Sequence, residues 1–142
     1  DVCSSDLLAN FMRTNIYSAI ATLKIGMEIL EKENVVIDKL MGHGGLFKTE
    51  YVGQKLMSGA MKAPVSVLST AGEGGAWGIA VLASFAKESF DLSLDEFLDE
   101  KVFSKFEIKT TVPDEKDISG FEKYMQLYKK SLAVEKSAVE NI

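Results

Sequence analysis

Two short apolar runs, Val35-Val36-Ile37 and Val65-Ser66-Val67-Leu68, each lead through a glycine-rich turn into a helical pattern. The first turn reads Met41-Gly42-His43-Gly44-Gly45-Leu46-Phe47-Lys48-Thr49, and the second Thr70-Ala71-Gly72-Glu73-Gly74-Gly75-Ala76-Trp77-Gly78-Ile79-Ala80. Glycine has no Cβ and reaches positive φ without strain, so main-chain N–H groups near a helix start can face phosphate or sugar oxygens. One such turn is most often only a tight connection. Two in succession, in the order loop, helix, strand, loop, helix between Gly42 and Ala83, match how an α/β nucleotide fold presents its turns along one sheet edge. Neither turn reads G-x-G-x-x-G with an acidic residue about twenty positions on, nor G-x-x-x-x-G-K-[ST]. A Rossmann dinucleotide site and a P-loop are therefore unsupported.

Periodicity places the remaining elements. Met12, Ile16, Ala19, Ile20, Leu23, Met27 and Leu30 recur at three and four, predicting an amphipathic helix from about Asn10 to Glu33 that buries this face. Val35 to Met41 reads as a strand, and Thr49 as the N-cap of a helix through about Met61, with Val52, Leu56 and Ala60 along one side. Pro64 opens a strand ending at Leu68, a position where its missing N–H is tolerated. The small-residue run from Gly74 to Ala86 predicts a closely packed, buried helix. Ser93-Leu94-Asp95-Glu96 fits a capping box. Phe106 to Val112 alternates as a strand does, Pro113 stops it, and Asp114 begins a long helix with Phe121, Tyr124, Tyr128 and Leu132 on one face.

These residues resemble a known family. In the C-terminal domain of the FGGY carbohydrate kinases, an arginine-bearing helix leads through a strand to a Gly-Gly-Gly-Ala-like loop. A further helix and strand then lead to a segment of Glu, small residues, Gly and Ala. Here the first element is Arg13-Thr14-Asn15-Ile16-Tyr17, the loop is Gly42-His43-Gly44-Gly45-Leu46, and the last is Glu73-Gly74-Gly75-Ala76-Trp77-Gly78-Ile79-Ala80. The tail also looks like the family's ending, a helix, a short strand with a Pro after it, and a long helix carrying Tyr residues. Three positions depart from the family's pattern: Tyr17 stands where an acidic residue is usual, Thr14 where a small one is, and His43 where the middle glycine is.

The resemblance implies an α/β fold, the C-terminal lobe of an actin-like (ribonuclease H-like) ATPase, truncated at its N-terminus. It implies transfer of the γ-phosphoryl of MgATP to a sugar hydroxyl, on a pentulose such as xylulose, with ATP and Mg²⁺ as cofactors. An L-ribulokinase-like or other polyol kinase is the alternative within the class, and a non-catalytic actin-like ATP-binding module the alternative outside it. Gly42, His43, Gly44 and Gly45 would line the adenosine and phosphates, with Thr49 as a further polar contact to the nucleotide. In this family the aspartate base and the first phosphate loops lie upstream of the region matched here, so no catalytic or metal-ligating residue is assigned to this chain, and alone it is expected to be inactive. The implied partners are the N-terminal sugar-binding lobe of the same chain and the sugar; a second copy, as a homodimer, is carried as a further partner.

Composition agrees with one folded domain: 142 residues, 46% hydrophobic and 26% charged. A formal net charge of −5, with no dense run of Lys and Arg, argues against a nucleic-acid surface. No apolar run approaches the roughly twenty residues of a membrane span, and the start lacks a signal pattern, so the expected location is cytoplasmic. Asp1-Val2-Cys3-Ser4-Ser5-Asp6-Leu7 looks like the translated end of a sequencing-library adapter joined in frame to a partial gene. On that reading residues 1–7 are an artefact and 8–142 are the domain. Cys3, the only cysteine, is given no disulfide or redox role.

Several side chains invite a chemical role and have a plainer one. His43, the only histidine, could act as acid or base near neutral pH. Phosphoryl transfer, however, is mainly positioning and charge stabilisation, and the resemblance puts this loop on the nucleotide rather than the sugar. One histidine without a cysteine pair also cannot complete a zinc site. Glu73 at a helix start is explained by the helix dipole before Mg²⁺ or ribose contact is invoked. Gly72, Gly74 and Gly75 read as packing glycines behind the site. Trp77 and Phe47 fit core packing at least as well as contact with a base. The acidic residues Asp91, Asp95, Glu96, Asp99 and Glu100 read as a solvated face.

Overall fold

The computed structural model describes residues 4–69, 71–88 and 91–141, without the side chains of 4–6, 73, 88 and 105. Cys3 with the start of the adapter-like stretch, and the Glu73 side chain, lie outside the described residues. In chain order the elements are α1 (Ser4–Lys32), β1 (Leu40–Gly42), α2 (Val52–Met61), β2 (Val65–Leu68), α3 (Gly74–Glu88), α4 (Leu94–Phe97), β3 (Ile108–Thr111) and α5 (Glu115–Glu140). A π-helical turn, Leu98–Val102, continues α4, and 3-10 turns occur at Gly45–Phe47, Ala71–Glu73 and Phe103–Lys105. Two compact units result. One is helical, from residues 4–38, 55–63 and 112–141; the other holds the sheet, from Lys39–Gln54 and Pro64–Thr111.

In the helical unit α1 packs against α5 through aromatic rings. Tyr17 meets Phe121 edge-on at 5.0 Å between centroids and Tyr124 at 5.3 Å, and Thr22 Oγ1 lies 3.1 Å from the Tyr128 hydroxyl. Burial drives the Tyr17 hydroxyl's pKa up. Asp114 caps α5 by accepting from Lys116 N–H at 2.9 Å, which satisfies one of the free donors of a helix start. Gly59 lets α2 lie close to α5, because a Cβ there would come within 2.8 Å of Asp117 Cβ. Asp117 Oδ2 is 3.4 Å from Lys55 Nζ, an ion pair without an aligned hydrogen bond.

The expected buried face of α1 is borne out at Ile20, with Ile16 and Met27 half-buried, and is corrected elsewhere. Tyr17, Ile20 and Ala21 are its buried residues, whereas Met12, Leu23 and Leu30 are exposed. The helix is long and its neighbours cover only a stripe through Tyr17, Ile20 and Ala21, so apolar periodicity overstates the contact. The helix ends in a Schellman arrangement: Asn34 adopts φ 56°, its N–H reaches Glu31 O, and Val35 N–H reaches Leu30 O at 3.0 Å.

That ending shortens the strand expected at Val35 to Met41. Val35 is spent on the helix cap and Val36 is 82% exposed, leaving only Leu40–Gly42 to pair. The sheet order is β1-β2-β3, with β1 parallel to β2 and β3 antiparallel to it. β2 is central and buried along its whole length, as its near-continuous apolar run requires. Its one polar side chain, Ser66, is satisfied by Thr110 Oγ1 at 2.7 Å. Pro64 precedes the strand and its carbonyl accepts from Leu40 N–H at 2.8 Å.

Two further expectations change. Thr49 does not cap α2: the chain turns again through Tyr51 at φ 63°, Val52 N–H bonds Glu50 O, and the helix starts at Val52. α3 is not buried all round. Trp77 packs on Phe103 and Phe106 and Phe85 on Phe97, but Ile79 is 72% and Leu82 54% exposed, because within this unit only one side of the helix has a partner. The capping box at α4 forms as read. Ser93 Oγ accepts from Glu96 N–H, Ser93 N–H donates to Glu96 Oε2 at 2.8 Å, and that pairing lowers the Glu96 carboxyl's pKa.

Candidate nucleotide-facing site

The parallel register Leu40↔Val65, Met41↔Ser66, Gly42↔Val67 sends both glycine turns out from one sheet edge, at the carboxyl ends of β1 and β2. Ligands of open α/β sheets bind at such ends. The turns are tied together there, since Gly44 N–H donates to Ala71 O at 2.7 Å. Gly44 itself sits at φ 97°, ψ −172°, a conformation that side-chain-bearing residues rarely adopt. The 3-10 turn Gly45–Phe47 follows directly, so the chain folds back beneath the loop instead of entering α2.

The glycines divide by what a side chain on them would meet. At Gly42 a Cβ would lie 2.6 Å from the Phe47 ring, at Gly72 3.1 Å from Lys48 Cγ, and at Gly74 2.9 Å from both Cβ and Nδ1 of His43. At Gly44, Gly45 and Gly75 it would meet nothing within 4 Å. Gly42 thus seats a ring of its own loop, while Gly72 and Gly74 of the second turn seat side chains of the first. Gly44 and Gly45 leave bare backbone toward open space, where a ligand can approach.

His43 and Thr49 are both exposed, His43 with its side chain against Gly74. Phe47, Lys48, Glu50, Gln54, Ser69 and Lys109 contribute to a cavity of about 270 Å³ next to the loop. Glu50 and Lys109 form an ion pair across it, and this contact raises the pKa of the Lys109 amine. Gln54 is buried, and its amide donates to Lys109 O at 2.9 Å, tying the start of α2 to β3. Sequence reading passed over Lys48 and Gln54. Lys48 carried a usable signal, being the only Lys or Arg in either glycine segment. Gln54 carried none, as its burial depends on the delayed start of α2.

At Gly44 and Gly45 the main chain is sterically open to close approach from outside, while the Gly44 N–H itself is held by Ala71 O. No group of three or more His, Cys, Asp and Glu positioned to hold a metal ion occurs among the described residues. No helix among the described residues is long and apolar enough to cross a membrane.

The family model described as "FGGY family of carbohydrate kinases, C-terminal domain" matches residues 2–87, which include α1 and both glycine turns. No curated protein and no solved structure gives a significant match.

Proposed function

Since this chain belongs to the FGGY family of carbohydrate kinases, as a C-terminal domain, we propose that it forms the nucleotide-side wall of a sugar kinase cleft. Enzymes of this family are phosphotransferases that use ATP and Mg²⁺, and their C-terminal domain works beside an N-terminal one. The observation that carries the reading is the open backbone of Gly44 and Gly45 at the carboxyl ends of β1 and β2. In the proposed reaction the γ-phosphoryl of MgATP passes to a hydroxyl of a pentulose such as xylulose, and the base that takes the hydroxyl proton comes from the N-terminal domain.

This chain's own residues bind and orient. Gly44 and Gly45 admit the nucleotide to the backbone, and Thr49 offers an exposed hydroxyl. His43, seated on Gly74, fills the loop without accepting or donating a proton in the reaction. Gly42 serves one layer back, by letting Phe47 lie beneath the loop. The exposed apolar side of α3, with Ile79 and Leu82, supports an N-terminal domain as the partner that covers it. A cytoplasmic location accompanies this reading.

Gly45→Val is the discriminating variant. Its position has no positive φ and no neighbour within 4 Å, so a branched side chain leaves the fold intact and blocks only approach from outside. In the complete kinase the KM for ATP should rise about tenfold or more, a cost of about 1.4 kcal/mol, while the KM for sugar stays within roughly twofold. Unchanged ATP kinetics in a folded variant would remove this loop from the nucleotide site.

A further inference from the structure

Lys48 is the one cationic side chain in the two glycine segments, and its place in the second turn is made by a glycine. A Cβ on Gly72 would lie 3.1 Å from Lys48 Cγ, 3.3 Å from Cε and 3.7 Å from Cδ. The lysine stem therefore runs lengthwise over the bare Cα of Gly72, with no room to spare for a methyl group. The same residue lines the 270 Å³ cavity beside the loop. The two turns that meet under Lys48 are the ones tied by the Gly44 to Ala71 hydrogen bond.

On the reading that this loop faces a nucleotide, we propose that Lys48 binds the phosphate chain of ATP and that Gly72 is the positioning residue that lays it there. Backbone N–H groups contribute only partial charges to a polyanion, whereas an ammonium on a flexible stem supplies a full one and adjusts to it. The need is greater in a chain of formal net charge −5, whose mean field opposes an incoming anion. Gly72 then acts through Lys48: a methyl at that position lifts the stem and moves the ammonium away from where the phosphates lie.

The test uses the complete kinase, with circular dichroism to verify folding. Lys48→Met should raise the KM for MgATP roughly ten- to hundredfold, as loss of a charge-assisted hydrogen bond does, with the KM for sugar and kcat within about threefold. Lys48→Arg should restore most of the affinity. Wild-type ATP affinity should fall more steeply with added salt than that of Lys48→Met. Gly72→Ala should raise the KM for MgATP several-fold alone and add little in the Lys48→Met background, since the two act as one unit. If Gly45→Val weakens ATP binding but Lys48→Met does not, the role of Lys48 is refuted and the nucleotide-facing loop stands. If neither does, the loop reading itself fails. An effect of Gly72→Ala that is undiminished in the Lys48→Met background would refute the link between the two residues.

Discussion

Given MgATP and xylulose, the 142-residue chain alone should show no sugar-dependent ADP release in a coupled assay, at any enzyme concentration that permits the measurement. The reason is additive losses. A positioned general base is worth about two to four orders of magnitude, and holding both reactants in register about 7–11 kcal/mol. A domain that contributes one wall of the cleft supplies neither in full. Weak nucleotide binding can survive, because Gly44 and Gly45 remain open to a ligand. Sugar-dependent turnover by this chain would show that it carries a base and a sugar site of its own, and would overturn the two-walled account.

Phe121→Ala should be the most damaging single substitution in the helical unit. Phe121 is only 2% exposed and packs edge-on to Tyr17 and stacked with Tyr124. Truncating a buried phenylalanine typically costs about 3–5 kcal/mol, against a total stability of about 5–15 kcal/mol for a typical domain. Urea unfolding followed by far-UV circular dichroism should show the midpoint falling sharply, or the helices already lost in buffer. Tyr17→Phe, which keeps the ring and removes only the hydroxyl, should cost no more than about 1 kcal/mol. A Phe121→Ala variant as stable as the parent would mean that α1 and α5 do not meet through these rings.

Both glycine turns, the central strand, the capping box at Ser93 and the long helix capped by Asp114 were legible in the sequence, because each rests on local chemistry. Glycine placement, an uninterrupted apolar run and a hydroxyl three residues ahead of a glutamate act within a few positions of themselves. The misreading of α1 arose where the deciding partner is distant in sequence, whereas those at Val35 and Thr49 each turn on one left-handed residue close by. The buried stripe of α1 is set by Phe121 and Tyr124, about a hundred positions on, and cannot be recovered from helical periodicity alone. The strand at Val35 was lost to the Schellman ending of α1, signalled only by Asn34. Thr49 had the right residue type for a cap, yet the left-handed Tyr51 delayed α2. Within the site, the sequence marked the glycines as a set; that Gly42, Gly72 and Gly74 seat Phe47, Lys48 and His43 while Gly44 and Gly45 face outward is a matter of tertiary placement.

Hydrogen exchange of the complete kinase, compared with and without MgATP and with and without sugar, tests the nucleotide-facing loop most directly. Amides of residues 43–48 should exchange more slowly with MgATP and remain unchanged with sugar alone, while the exposed end of α5 around Val134 and Val139 responds to neither. Loop amides indifferent to saturating MgATP, or slowed by sugar alone, would contradict the assignment of Gly44 and Gly45 to the nucleotide.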